Sequence, residues 1–162
     1  MIFGSAAFGL FHVALSFVGI FAGFAVLAAF LRGDDRPDGW THLFLITTLA
    51  TSLTGFLFPF NGFTPAIGTG IVATLVMIAT LIALYRFNRE DRWQRIYVIG
   101  AVTSLYLNTF VLVVQGFLKF PQLKELAPNG NELPFAAVQG VVLVFFVAAG
   151  YLSVKRLRPA TA

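Results

Sequence analysis

Charged residues cut this chain into long stretches that carry none. No Asp, Glu, Lys or Arg occurs in 1–31, 41–85, 96–118 or 133–154. A helix needs about 20 apolar residues to cross a hydrocarbon layer of roughly 30 Å. The first, third and fourth stretches each suit one helix. The second is too long for one and is interrupted at 58–65 by Phe-Pro-Phe-Asn-Gly-Phe-Thr-Pro. Pro59 and the Asn61-Gly62 pair break a helix there, and Thr64-Pro65 reads as an N-cap followed by proline at the first helical position. The pattern therefore predicts five spans, near 5–31, 41–60, 65–86, 94–118 and 134–154. Asp91 with Gln94 resembles a capping box opening the fourth span, and Pro134 suits the first turn of the fifth.

The apolar character is continuous, so no face is turned toward water. Within lipid only helices or closed barrels satisfy the backbone, and runs of this length are not barrel strands. The expected fold is all-α, an integral membrane five-helix bundle. It forms a single transmembrane domain over 1–162, without internal repeats.

Composition narrows the function classes. Of 162 residues, 58% are hydrophobic and 11% charged, with a mean hydropathy of +0.85. Eighteen charged side chains cannot cover a soluble fold of this size. A soluble globular domain, a disordered chain and a nucleic-acid binder are excluded, despite the basic pI of about 9.9. The absence of cysteine excludes disulfides, iron–sulfur clusters, thiolate metal sites and cysteine nucleophiles.

The basic residues set an orientation. Arg32, Arg36, Arg86, Arg89, Arg92, Arg95, Lys155, Arg156 and Arg158 fall on one side of a five-span chain, and only Lys119 and Lys124 on the other. The positive-inside rule then places the N-terminus outside and the C-terminus in the cytoplasm, in a bacterial inner membrane. The first span lacks the basic start and cleavage site of a signal peptide and is expected to stay. Trp40, Trp93, Tyr85, Tyr97 and Tyr151 map to the cytoplasmic interface as anchors. The outer ends carry Phe3, Phe58, Phe60, Phe63, Phe117, Phe120 and Phe135 instead.

Within the charge-free stretches the only His, Asp, Glu, Lys or Arg side chains are two histidines. His12 lies about 10 Å below the outer surface at 1.5 Å per residue, whereas His42 opens the second span from the inside. They cannot share one ion, so no metal or haem held by this chain alone is expected. Asn108 and Gln139 reach the depth of His12, with Gln115 and Asn61 nearer the outer end. Ser104, Asn108 and Gln115 share a face of the fourth span, and Gly9, His12, Ser16, Gly19 and Gly23 form a stripe of the first.

Two readings compete for this outer set. Small and polar residues at such spacings hold membrane helices together by close approach and hydrogen bonds. The Thr47, Thr51, Thr54 row and the Ala66, Gly70, Ala73, Met77 row fit that role. Alternatively His12, Asn108 and Gln139, with Ser16, Ser104, Gln115 and Asn61, bind the polar group of a lipid, quinone or pigment. Phe60 and Phe63 would then hold its apolar body.

The chain thus reads as a small polytopic inner-membrane protein without evident catalytic machinery. It binds a lipophilic molecule in the outer leaflet or serves as an accessory subunit of a membrane complex. Its partners are membrane lipids, a quinone or pigment, and other membrane subunits or further copies of itself. One alternative is an enzyme on a lipid-soluble substrate with His12 as acid or base, but no acidic residue orients His12 and Ser16 is poorly placed as a nucleophile. Another is an oligomeric transporter of a small uncharged solute. GxSxG, HExxH, P-loop and GxGxxG motifs are all absent.

Overall fold

The structure, a computed structural model, describes residues 5–59, 65–90 and 92–157. Phe3, Phe60, Asn61, Gly62, Phe63, Thr64, Asp91 and Arg158 lie outside the described residues. Six helices and no strand occur among those described: α1 (Ala6–Leu31), α2 (Gly39–Gly55), α3 (Pro65–Leu81), α4 (Arg92–Lys119), α5 (Pro121–Leu126) and α6 (Leu133–Lys155). A π-helical turn, Ile82–Arg86, continues α3. Four of these segments are long and apolar enough to cross a membrane: Ala6–Leu31, Ile67–Arg86, Arg92–Lys119 and Leu133–Lys155.

Local chemistry accounts for the ends. Ser5 Oγ caps α1 by accepting the Phe8 N–H at 3.2 Å. Gly33 turns the chain out of α1 with φ +79°, a left-handed conformation that glycine adopts without a Cβ penalty. A Cβ there would also come within 2.9 Å of the Arg156 carbonyl oxygen. Asp38 caps α2, its Oδ1 accepting from the Thr41 N–H at 2.8 Å and the Thr41 hydroxyl at 3.0 Å.

The second helix ends earlier than the apolar pattern suggests. Phe56 and Leu57 N–H groups bond to the Leu53 and Thr54 carbonyls at 3.2 and 3.1 Å, a tightened last turn. Pro59 then bars Phe58 from helical backbone, so α2 stops at Gly55 with 17 residues. That is about 26 Å at 1.5 Å per residue, and it falls below the length of the four long segments. The short α5, with Pro121 in its first turn, lies in a connection read from the sequence as a loop.

α4 is the central element. It packs against α1, α3, α5 and α6, while α1 also touches α2 and α6, and α2 touches α3. Their shared core includes Val26, Phe30, Phe44, Met77, Tyr97, Val98, Leu105 and Phe146. Glycine makes the closest approaches possible. A Cβ on Gly23 would lie 2.6 Å from Leu105 and 2.9 Å from the Phe44 ring, so α1, α2 and α4 meet there without room for a methyl group. One on Gly19 would sit 3.1 Å from Thr47 Oγ1 and 3.2 Å from Thr48 Oγ1, and one on Gly100 would overlap the Thr80 hydroxyl. α6 is the least buried of the four long apolar segments and buries only Phe146, Ala149 and Ser153.

Overpacking at such a contact costs about 1–3 kcal/mol and sometimes more. Gly100→Leu is therefore expected to destabilise the protein by about 3 kcal/mol in thermal unfolding in detergent. Gly140→Leu, where an added Cβ meets nothing within 4 Å, should change stability by no more than about 0.5 kcal/mol.

Candidate functional site

The two ends of the bundle differ in chemistry: the turn end, near residues 56–59 and 120–132, and the arginine end, near 32–38 and 86–90. Near the turn end, His12 on α1 donates its Nδ1–H to Thr54 Oγ1 at 2.9 Å. The direction follows from Thr54, whose own hydroxyl proton is directed to the Ala50 carbonyl at 2.7 Å. That assigns the Nδ1–H tautomer and leaves Nε2 as an acceptor. The imidazole also stands edge-on to Phe58, with ring centroids 5.1 Å apart, and Phe58 in turn contacts Phe8 at 5.0 Å.

The other polar residues find different partners. Asn108 on α4 donates from Nδ2 to Thr48 Oγ1 at 3.2 Å. Gln139 on α6 donates from Nε2 to the Phe110 carbonyl at 3.2 Å. Ser16 returns its hydroxyl proton to the His12 carbonyl at 2.9 Å, within α1. Ser104 is buried and its Oγ has no hydrogen-bond partner, as is also true of Thr51 Oγ1 and Gln139 Oε1. Gln115 is half-buried on α4. His12, Asn108 and Gln139 thus bond across three separate helix pairs. His12 and Asn108 share only α2, whose hydroxyls Thr48 and Thr54 are about 1.7 turns apart. The Thr47, Thr51, Thr54 row carried the signal for these acceptors, although Thr48, one position on, is the residue that meets Asn108.

A surface groove lies between α3 and α4. It holds about 240 Å³ and is lined by Gly68, Thr69, Val72, Tyr106, Leu107 and Phe110. Glycine at 68 leaves the α3 wall low, and the rings of Tyr106 and Phe110, 6.2 Å apart, form much of the opposite wall. Tyr106 also packs edge-on against Phe146 of α6 at 5.8 Å. Its hydroxyl has no hydrogen-bond partner among the described residues. Tyr106 stands fourteen residues into α4 from Arg92, roughly 21 Å along the axis and far from either end.

The arginine end holds a buried polar cluster that loop charges alone do not reveal. Asp35 is 7% exposed, although it lies in the α1–α2 connection. Its Oδ2 accepts from Arg89 Nη1 at 2.9 Å and from Gln94 Nε2 at 3.1 Å. Arg89 Nη1 also donates to the Asp35 carbonyl at 2.9 Å. To make this reach, the chain leaves the π-turn through two successive left-handed residues, Asn88 at φ 45° and Arg89 at φ 59°. Asparagine tolerates that region, whereas arginine there costs about 1–2 kcal/mol, which the ion pair must offset. Arg89 Nε remains buried and unpartnered.

Tyr97 corrects an expectation. It was assigned to the interface as an anchor, but it is fully buried beneath this cluster, edge-on to Phe30 at 5.6 Å. Its one-turn spacing from Gln94 and Ala101 puts it on the inward face of α4. Trp40, Tyr85 and Tyr151 remain exposed, as interfacial anchors are.

The described residues contain no group of three or more His, Asp or Glu that could hold a metal ion. His42 donates Nδ1–H to the Asp38 carbonyl at 2.7 Å. It stands twelve residues along α2 from Thr54, the partner of His12, a separation of about 18 Å.

Removing one partner of a buried ion pair leaves an uncompensated charge and costs about 3–5 kcal/mol. Asp35→Ala is expected to destabilise the protein by about 3 kcal/mol, the lower figure because Arg89 retains some exposure. The Asp35→Ala/Arg89→Ala double variant should lose less than the sum of its parts, by at least about 1 kcal/mol in chemical denaturation. Strict additivity would show that the pair is not coupled.

Comparison with known proteins adds no relative: no protein family, curated protein or solved structure matches this chain.

Proposed function

We propose that this chain is a polytopic bacterial inner-membrane protein that binds a lipophilic molecule through one hydrogen-bond acceptor. In this reading it crosses the bilayer five times, N-terminus outside, with α2 as the shortest span. Nine of the eleven basic residues support the orientation by falling, in sequence, on one side of a five-span chain. A 17-residue α2 is accommodated by modest local thinning of the bilayer.

The observation that carries the binding role is the α3–α4 groove with its unpartnered phenol. A hydroxyl at that distance from both helix ends has no water to bond, and one left without a partner loses several kcal/mol in hydrocarbon. A ligand with a carbonyl or ether oxygen supplies the missing acceptor, and its chain or ring lies against Gly68, Val72, Leu107 and Phe110. The volume suits a ring or a short chain segment rather than a whole lipid. His12, Asn108 and Gln139 act in this scheme as helix-packing groups, because each already bonds to a neighbouring helix. An accessory-subunit role is favoured by one further feature, the open face of α6. Gly140 has free space around it, and Val141 and Val144 are 70% and 69% exposed. A partner helix fits closely against such a face.

Two experiments test the proposal. Reporter fusions after Leu31, Phe63, Arg89, Asn129 and Ala162 should read in, out, in, out, in; a reversed order or a four-span pattern refutes the topology. Mass spectrometry of molecules co-purified with the protein should find one lipophile enriched over bulk lipid. Tyr106→Phe, which removes one hydrogen bond, should reduce its retention about fivefold, and Gly68→Leu should remove it by filling the groove. Equal retention by both variants would exclude the groove as the site.

A further inference from the structure

The α3–α4 hairpin carries a second arrangement that neither the groove nor the Asp35 cluster uses. Phe87 and Trp93 stack face to face, with ring centroids 3.8 Å apart and an interplanar angle of 4°. The guanidinium carbon of Arg86 lies over Phe87 at 5.7 Å, and that of Arg92 over Trp93 at 5.5 Å. Each ring has one face taken by the other ring. The two guanidiniums therefore occupy the outer faces, and the order is Arg86, Phe87, Trp93, Arg92.

The hairpin backbone holds the stack in register. Glu90 N–H bonds to the Phe87 carbonyl at 2.9 Å, and Trp93 N–H bonds to the Glu90 carbonyl at 2.9 Å. Arg89, between the two rings in sequence, is tied down on Asp35. Both Arg86 and Arg92 are exposed, and neither forms an ion pair among the described residues, where the pairs are Arg36 with Asp34 and Arg89 with Asp35. Glu90, the described acid within the hairpin, is exposed and pairs with neither. A guanidinium over an aromatic face spends no N–H donor on a hydrogen-bond acceptor there, and its planar fork matches two phosphate oxygens. It has also lost much of its rotamer freedom before any ligand arrives.

We infer that this stack is a binding site for anionic phospholipid headgroups, one phosphodiester being held by each guanidinium. Its position favours a lipid over a soluble anion. The stack sits where a membrane-crossing segment, Ile67–Arg86, gives way to the next, Arg92–Lys119. Ring bodies lie there at headgroup level, with the charged edges beside the phosphates. Nearby exposed arginines, Arg32 and Arg95, add general attraction to an anionic surface but are not held on a ring pair. The inference needs only that the chain is a membrane protein. It is independent of which side the hairpin faces and of the lipophile in the groove.

The protein contains two tryptophans, so Trp40→Phe leaves Trp93 as the sole reporter. This variant is placed in nanodiscs of phosphatidylcholine with rising fractions of dibrominated phosphatidylglycerol, or of dibrominated phosphatidylcholine as reference. Trp93 fluorescence should be quenched at a several-fold lower fraction of the anionic lipid. Arg86→Gln/Arg92→Gln should erase that preference. Arg32→Gln/Lys155→Gln, which deletes the same charge elsewhere at this end, should leave most of it. Phe87→Leu keeps both charges but removes the inner ring, and should weaken the preference. Equal quenching by the two brominated lipids would overturn the site. So would an equal loss in the Arg32/Lys155 variant, which reduces the effect to surface charge. Full preference in Phe87→Leu would overturn the role of the stack.

Discussion

Lipid tails are as apolar as leucine, so burial of apolar area gives helices in a bilayer little reason to associate. What holds this bundle is contact at distances that only glycine permits. Gly23 brings α1 onto Phe44 and Leu105 at once, and Gly100 lets α4 lie directly on Thr80. Each such point gains many dispersion contacts that a larger residue would prevent. The polar pairs follow from the same closeness. Asn108 reaches Thr48, and His12 reaches Thr54, because α2 is drawn against its neighbours at Gly19 and Gly23. The hydroxyls also return protons to their own helix carbonyls, as Thr47 does to Leu43 at 2.6 Å. They therefore act toward other helices mainly as acceptors.

Much of the architecture was legible because its causes are local. A charge-free run of twenty residues and a Phe-Pro interruption need no knowledge of neighbours, and the four long apolar segments appear where the runs lie. The early end of α2 was less legible, since apolar Phe56, Leu57 and Phe58 continue the pattern past the last helical residue. Only the restriction that Pro59 places on Phe58 marks the stop. Partner choice was not legible at all. Depth along a helix can be counted from the sequence, but rotation and stagger cannot. His12, Asn108 and Gln139 could be assigned one level, while the structure turns them toward three different neighbours.

The buried cluster at the arginine end was not legible for a different reason. A charge in a loop ordinarily stays in water, and counting Arg89 toward orientation treats it so. Here two left-handed residues fold it back over the helix end, where Asp35 has been withdrawn from solvent. Tyr97 was misread similarly, because an aromatic near a helix end is usually an anchor. Its place on the face shared with Gln94, Ala101 and Ser104 decides the matter, and that face points inward. In one hairpin, then, one arginine serves cohesion while its neighbours Arg86 and Arg92 stay free for the surface.

The Asp35–Arg89 pair has a consequence for biogenesis. Its two charges belong to separate helix pairs, one made early in synthesis and the other later. Neither charge finds its partner until both pairs are in place, because among the described residues each is the only ionic partner of the other. Once the pairs meet, closure at Asp35 records that α1–α2 and α3–α4 have docked in the correct register, since a helix shifted by one turn would carry Arg89 about 5 Å away. α6 comes after this step in the chain, and its Arg156 fastens onto the Leu31 carbonyl at the end of α1. The C-terminal end of α6 is thereby tied to the end of α1.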